Sequence, residues 1–130
     1  MADDTTVSTH EDSRHISEWI DAPPDAVYAF ASDRSQLARW AAGLADPSLG
    51  EADVEFAPLN EFGVLDHVVT LPTGESFYNP MRVVPAGPGQ ARCEVVFTLR
   101  RQPGATDAQF DADADAVAAD LRRLRDLLAD

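Results

Sequence analysis

The stretch that decides the fold is TDAQFDADADAVAADLRRLRDLL, residues 106–128. Its apolar residues recur with steps of four and three, the spacing of one helix face; they are Phe110, Ala114, Val117, Leu121, Leu124 and Leu128. Thr106 and Gln109 fit a capping box, and aspartates precede arginines in the order that suits the helix macrodipole. The sequence therefore predicts a long amphipathic helix whose apolar side covers another layer.

That other layer is predicted to be an antiparallel sheet of about five strands. The strand segments are residues 14–21, the alternating stretch around Val54 and Phe56, and residues 62–71, 76–84 and 91–101. The turns Pro72-Thr73-Gly74 and 85–89 are short enough for hairpins. In the last strand, Cys93 and Val95 face one way while Glu94 faces the other, which indicates one dry and one wet face.

Two short helices are predicted between the first two strands. Pro23-Pro24 suits a helix start, and Asp33-Arg34 ends that helix. Ser35 is the predicted cap of the second helix, whose apolar stripe is Leu37, Trp40, Ala41 and Leu44. Two short helices, an antiparallel sheet and one long covering helix make an α+β fold.

Composition restricts the classes of partner. The chain has 130 residues, which we divide into a disordered tail (1–13) and a single domain (14–130). Its formal net charge of -13 argues against nucleic acid and against anionic membrane surfaces. Without a signal peptide or an apolar run long enough to cross a bilayer, a cytoplasmic location is expected. Cys93 is the only cysteine, and no metal site or cofactor motif is predicted.

The order of elements resembles the START/SRPBCC helix-grip superfamily, and in particular its small bacterial polyketide cyclase/dehydrase-like members. The resembling stretches are IDAPPDAVYAFASDRSQLARWAAGL (residues 20–44), FGVLDH (62–67), YNPMRVV (78–84) and the helix after Pro103-Gly104. The resemblance implies a curved sheet wrapped around the long helix, with an apolar cavity between them. Such a fold identifies a type of cavity and not a reaction.

The chain departs from that pattern between Leu44 and Val54. The segment is long enough for a loop but not for the edge strand that usually precedes the strand at Val54. Loss of an edge strand would either open the cavity at one side or expose a sheet edge that pairs with a second subunit. A homodimer through that edge is therefore one expectation.

Three polar residues share the inward faces of otherwise apolar strands: Glu18, His67 and Asn79. A few polar groups on apolar walls are typical of a small-molecule pocket. His67 is either a general acid or base, or a histidine that holds the sheet face by a hydrogen bond. Glu18 is either a base with a raised pKa in a dry pocket, or the partner of an arginine or of water at the sheet margin.

Asn79 is the third candidate, for orienting a carbonyl or stabilising an enolate. Its alternative role is local, because Asn79-Pro80 within a strand implies a bulge whose backbone the amide would satisfy. Tyr78 and Arg82 fall on the outward phase unless that bulge reverses the register.

The predicted ligand contacts follow from the same faces and from the resemblance. Trp40 and Tyr28 lie on the short helices that flank the cavity mouth in the superfamily, although aromatic residues there also serve as core. The predicted wall is Leu65, Val69, Phe77, Met81, Phe97, Phe110, Val117 and Leu121.

Three functions remain open at this point. The first is proton-transfer chemistry (cyclisation, dehydration or isomerisation) on a small hydrophobic, aromatic or polyketide-like molecule, with His67 or Glu18 as base and Asn79 orienting. The second is non-catalytic binding or transport of such a molecule. The third is a protein-interaction module like the superfamily branch that activates a heat-shock ATPase.

Overall fold

The computed structural model describes residues 12–41, 53–89 and 91–129. The elements are β1 (Ser13–Ile20), α1 (Pro24–Ala31), a 3₁₀ turn (Arg34–Gln36), α2 (Leu37–Trp40), β2 (Asp53–Phe56), β3 (His67–Thr70), β4 (Ser76–Asn79), β5 (Met81–Pro85), β6 (Cys93–Arg100) and α3 (Asp107–Leu128). The strands form two antiparallel sheets, ordered β1-β6-β5 and β2-β3-β4. Within these ranges, no helix has the length and apolar character needed to cross a membrane.

Helix α3 forms as its sequence predicts. The Thr106 hydroxyl accepts from the Gln109 N–H, and the Gln109 side chain accepts from the Thr106 N–H, so the capping box is complete. Phe110, Leu121 and Leu124 are buried, and the helix packs on β1, β6 and α2. An antiparallel sheet gripped around a long C-terminal helix is the helix-grip arrangement, and the predicted α+β fold class is confirmed.

The strand predicted over residues 76–84 is two strands, because Pro80 interrupts it. Proline has no N–H to continue the ladder, and the chain passes here from the sheet of β4 to the sheet of β5. The described residues therefore hold six strands rather than five. The register does not reverse across the break: Met81 and Val83 are buried while Arg82 faces out, as the alternation predicts.

Two predictions about the first half of the chain need comment. The cap of the second helical segment is Asp33 and not Ser35: the Asp33 carboxylate accepts from the Ser35 N–H at 3.0 Å. An aspartate one residue before the turn reaches the free N–H groups that the Ser35 side chain, already inside the turn, cannot reach. The predicted tail up to residue 11 and the missing edge strand (42–52) lie outside the described residues.

The core lies between the β1-β6-β5 sheet and the helices α1 and α3. β6 is the central strand, and its Cys93 and Val95 are both fully buried opposite Ile20 and Glu18 of β1. The buried apolar cluster includes Ile20, Val27, Ala31, Trp40, Leu65, Met81, Val83, Cys93, Val95, Leu121 and Leu124. The second sheet extends beyond this core, so a space remains between its inner face and α3.

Candidate functional site

That space is a partly enclosed cavity of about 410 Å³ bounded by β3, β4, β6, α2 and α3. Its size lies within the range of small-molecule sites. The lining residues are Leu37, Trp40, Ala41, His67, Val69, Leu71, Phe77, Asn79, Phe97, Leu99, Arg100, Gln102, Asp113, Ala116, Val117, Asp120 and Leu121. Apolar side chains supply most of this wall.

Six of the predicted ligand contacts line the cavity, and four lie elsewhere. Those in the wall are Trp40, Val69, Phe77, Phe97, Val117 and Leu121. Leu65 and Met81 share the inward phase but are each only 1% exposed, since they pack within the core at the end where the two sheets meet. Tyr28 lies in a separate depression beside Phe62.

Phe110 is the fourth predicted contact outside the cavity. It is buried at the first turn of α3, with the guanidinium carbons of Arg14 and Arg101 at 4.3 and 4.7 Å from its ring centre. Stacking of this kind stabilises the ring and the cations together. Phe110 therefore fixes the start of the helix, just before Asp113, the first helical residue in the cavity wall.

His67 is the buried polar residue of the cavity wall, with 6% of its surface exposed. Its ring lies between Phe56 and Phe97, with ring centres 5.3 and 6.1 Å away. Nδ1 lies 2.9 Å from the Leu65 carbonyl oxygen. Since a carbonyl only accepts, Nδ1 carries the proton, which assigns the tautomer with a lone pair on Nε2.

Asn79 is paired opposite His67 in the β3–β4 ladder, as the adjacent inward faces predict. Its Nδ2 lies 3.4 Å from His67 Nε2, so the amide donates a long hydrogen bond to that lone pair. The sequence places both side chains on inward faces, and the structure brings them together in one wall. They form a polar pair in an otherwise apolar part of the cavity.

Burial of His67 keeps the His67–Asn79 pair uncharged. Removal of the His67 ring from water lowers its pKa below the ordinary 6.5, and the hydrogen bond to the Leu65 carbonyl opposes this only in part. Burial disfavours the charged form because the interior solvates it poorly. His67 is therefore neutral near pH 7 and presents Nε2 as an acceptor.

Glu18 lies apart from this pair. Its Oε2 is 2.9 Å from Nη1 of Arg125 near the end of α3, and it is not among the cavity-lining residues. Glu18 faces inward from β1, as the alternation predicts, but β1 packs against α3 and not against the cavity. The arginine pairing that the sequence left open is the arrangement observed.

Sequence reasoning missed a second polar cluster, built around Asp66 on the outer face. The Asp66 carboxylate is 7% exposed and accepts from the Tyr78 hydroxyl (2.6 Å), the Met81 N–H (2.9 Å) and the Arg82 guanidinium (3.0 and 3.1 Å). Burial raises the pKa of Asp66, but these hydrogen bonds outweigh burial and lower it to about 2. Alternation places Tyr78 and Arg82 on the outward phase, but only the packing of the two sheets brings both onto Asp66.

The fold is the helix-grip fold that the sequence resemblance implies, and several solved structures share it. XoxI from Bacillus cereus is similar in structure (10% identity, TM-score 0.61, covering 89% of this chain and 94% of XoxI). DynU16, a putative protein of the dynemicin biosynthetic locus, is 14% identical with TM-score 0.61, and the aligned region covers 90% of this chain and 47% of DynU16.

An AHSA1-like protein from Rhizobium etli is also similar, at 16% identity and TM-score 0.53, with 91% of this chain and 83% of that protein covered. At such identities the likeness establishes a shared fold alone. No family model and no curated protein matches the sequence.

Proposed function

We propose that the protein binds a small, neutral, largely apolar molecule bearing a hydroxyl group in the cavity between β3-β4 and α3. An aromatic or polyketide-like compound has this character. The observation that carries the proposal is the neutral His67–Asn79 pair in the wall of an apolar cavity of about 410 Å³. A few convergent polar groups on apolar walls orient a ligand that the apolar surface holds.

The polarity of the pair defines the group that it binds. Nε2 of His67 accepts, and Nδ2 of Asn79 donates, across a long contact of 3.4 Å. A hydroxyl group donates to the first and accepts from the second, so it satisfies both better than they satisfy each other. A carboxylate is disfavoured at this pair, because His67 is neutral and offers it no charge. The charged residues elsewhere in the wall are of both signs, Asp113 and Asp120 against Arg100.

The same pair supports proton-transfer chemistry on the bound molecule. His67 Nε2 takes a proton from a hydroxyl or an activated carbon, and Asn79 stabilises the oxygen on which negative charge develops. Return of the proton to another atom completes an isomerisation, and its departure with a hydroxyl as water completes a dehydration. The base role falls to His67 and not to Glu18, whose carboxylate is held by Arg125.

A matched series of naphthalenes tests the binding step. Titration with 2-naphthol, 2-methoxynaphthalene and 2-naphthoate compares three substituents on one ring system. They are a hydroxyl that can donate a hydrogen bond, an ether oxygen that can only accept one, and a carboxylate. We expect 2-naphthol to bind about fivefold more tightly than the other two, since one hydrogen bond contributes about 1 kcal/mol. Equal affinity for all three, or NMR shift changes away from Val69 and Phe97, would contradict the proposal.

Deuterium exchange tests the chemical step. The acidic carbon protons of 2-tetralone exchange in D₂O, and we expect the protein to accelerate that exchange over buffer. His67→Ala should lower the acceleration at least about tenfold, as for loss of a general base, whereas Glu18→Gln should retain it. If the unmodified protein binds 2-tetralone but does not accelerate its proton exchange, non-catalytic binding or transport of the ligand remains as the function.

A further inference from the structure

The loop between β2 and β3 holds two large apolar side chains in water. Leu59 is 80% exposed and Phe62 is 82% exposed. Isolated apolar side chains on a surface are ordinary. Two that are four-fifths exposed within one short loop, neither of them lining the His67 cavity, are a feature that the proposed function does not use.

The loop is rigid because Asn60 cross-links it. Asn60 Oδ1 accepts from the N–H groups of Phe62 (2.9 Å) and Val64 (3.1 Å), while its Nδ2 donates to the carbonyls of Pro58 and Val64 (both 3.0 Å). The Tyr28 hydroxyl of α1 accepts from the Asn60 N–H at 3.0 Å. Tyr28 therefore orders this loop rather than contacting the cavity.

The far end of the loop is fixed to β5. Val83 donates its N–H to the Gly63 carbonyl at 2.8 Å, and Val64 bridges Arg82. Gly63 has φ 72°, and a Cβ at that position would lie 2.3 Å from the Val83 carbonyl oxygen, so only glycine permits this approach. The bridge register places Phe62 beside Val84, at the end of β5.

Two further exposed apolar side chains lie on the outer face of the first sheet, with Glu94 between them. Val84 is 43% exposed and is paired with Glu94 of β6, which in turn is paired with Trp19 of β1, 44% exposed. We call Leu59, Phe62, Val84 and Trp19 the outer strip. A depression of about 920 Å³ adjoins its Phe62 end.

The charge around the outer strip is acidic. Glu61 and Asp25 line the depression, Glu94 lies within the strip, and none of the three forms an ion pair with another described residue. Two cations also lie near the strip, and both have partners: Arg82 pairs with Asp66, and Arg92 pairs with Asp21 while its guanidinium carbon lies 5.0 Å from the Trp19 ring centre. A partner that brings arginine or lysine beside apolar side chains is thus complementary in charge.

We infer that the outer strip is a docking surface for a protein segment in which apolar side chains are flanked by basic ones. The rigid loop lowers the ordering cost of association, because Phe62 and Leu59 are presented before the partner arrives. A second copy of this chain is disfavoured as the occupant by the net charge of -13, and so is an anionic lipid surface.

Defined synthetic peptides provide the test. Four classes are titrated into the full-length isotope-labelled protein: apolar with basic, apolar with acidic, apolar with glutamine, and basic without apolar residues. We expect the apolar-basic class to bind at least about tenfold more tightly than the others. NMR shift changes should map to residues 59–64, Val84 and Trp19, and binding should weaken as NaCl rises from about 50 to about 300 mM.

Three single-residue variants test whether the outer strip is the surface that binds the peptides. Phe62→Ser should weaken the apolar-basic peptides about tenfold or more, while Leu127→Ser, at an exposed site on α3, should leave binding unchanged. Tyr28→Phe, which frees the loop without altering the strip, should weaken binding by a smaller factor.

Equal losses in the Phe62 and Leu127 variants would overturn the inference. The same holds for apolar-acidic peptides binding as tightly as apolar-basic ones. Self-association in light scattering that Phe62→Ser abolishes would assign the strip to a second copy instead, and binding to anionic vesicles that Phe62→Ser abolishes would assign it to lipid. None of these outcomes depends on the His67 cavity.

Discussion

The Asp66 carboxylate lies against the Arg82 guanidinium, with Oδ1 3.1 Å from Nε and Oδ2 3.0 Å from Nη2. Asp66 immediately precedes β3, and Arg82 lies on β5, so the pair joins the two sheets beside the break at Pro80. The Met81 N–H and the Tyr78 hydroxyl complete the coordination of the carboxylate. The cluster thereby reinforces the backbone hydrogen bonds that join residues 63–65 to residues 81–83.

Asp66→Asn should destabilise the protein by about 2 to 3 kcal/mol, because it removes the charge that Tyr78, the Met81 N–H and Arg82 are arranged to bind. Urea denaturation measures the loss. Asp53→Asn is the matched control: its partner Arg34 is 3.4 Å away and both side chains are exposed, so a change within about 0.5 kcal/mol is expected. Similar losses in the two variants would show that Asp66 is an ordinary surface acid.

The same carboxylate should make stability fall at low pH. The pKa of Asp66 is about 2 in the fold, below its ordinary value of 3.8, so the unfolded chain takes up the proton first as pH falls. The contribution is complete above about pH 4 and disappears as pH drops toward about 2. The stability gap between the unmodified protein and Asp66→Asn should narrow over that window. A gap that stays constant would contradict the assignment.

His67 should titrate below its ordinary pKa of 6.5, because burial disfavours the imidazolium ion. Its stabilising effect as a neutral group is complete above the unfolded-state pKa of about 6.5 and is lost progressively as pH falls from there toward the folded pKa. Binding of 2-naphthol should fall on protonation, since Nε2 then donates instead of accepting. NMR of the His67 ring protons measures the pKa, and a titration with 2-naphthol over the same pH range measures binding. A His67 pKa above about 7 would refute the assignment of a neutral ring.

Gly63→Ala should destabilise the protein by about 2 to 4 kcal/mol, since both its φ of 72° and the closeness of the Val83 carbonyl exclude a Cβ. Gly74→Ala isolates the conformational part: Gly74 has φ 97° with no atom within 4 Å of a Cβ, and should cost only about 1 kcal/mol. Thermal unfolding of the pair measures the difference. Equal losses would mean that the loop moves away from β5 without penalty.

The elements that sequence predicts correctly are those whose determinants are local. Thr106 and Gln109 lie one turn apart, so the capping box can be read directly from the chain. The inward phase of His67 and Asn79 follows from alternation within each strand, and their pairing follows once the connecting turn is recognised as a hairpin. Local patterns determine these features because no distant residue competes with them.

The features that sequence misses depend on distant residues meeting. Asp66 reads as a surface acid until Arg82 and Tyr78 are seen to close over it. Glu18 has the phase of a cavity residue, but only the path of α3 shows that Arg125 reaches it. Phe110 belongs to the apolar stripe, yet its position at the first helical turn sets it between two arginines. The alternation of apolar and polar residues predicts which face of a strand or helix a residue occupies. The neighbours that the residue meets on that face depend on how the elements pack together.

The interruption at Pro80 divides the strands into two groups with different tasks. One group supplies the polar residues of the cavity, and the other supports helix α3. His67 and Asn79 belong to β3 and β4, whereas α3 rests on β1 and β6 of the other hydrogen-bonded sheet. Substitutions in the β3–β4 hairpin therefore change the polar groups that a guest meets without disturbing the platform beneath the helix. A designer, or natural selection, can exchange His67 and Asn79 while the strands that support α3 stay unchanged.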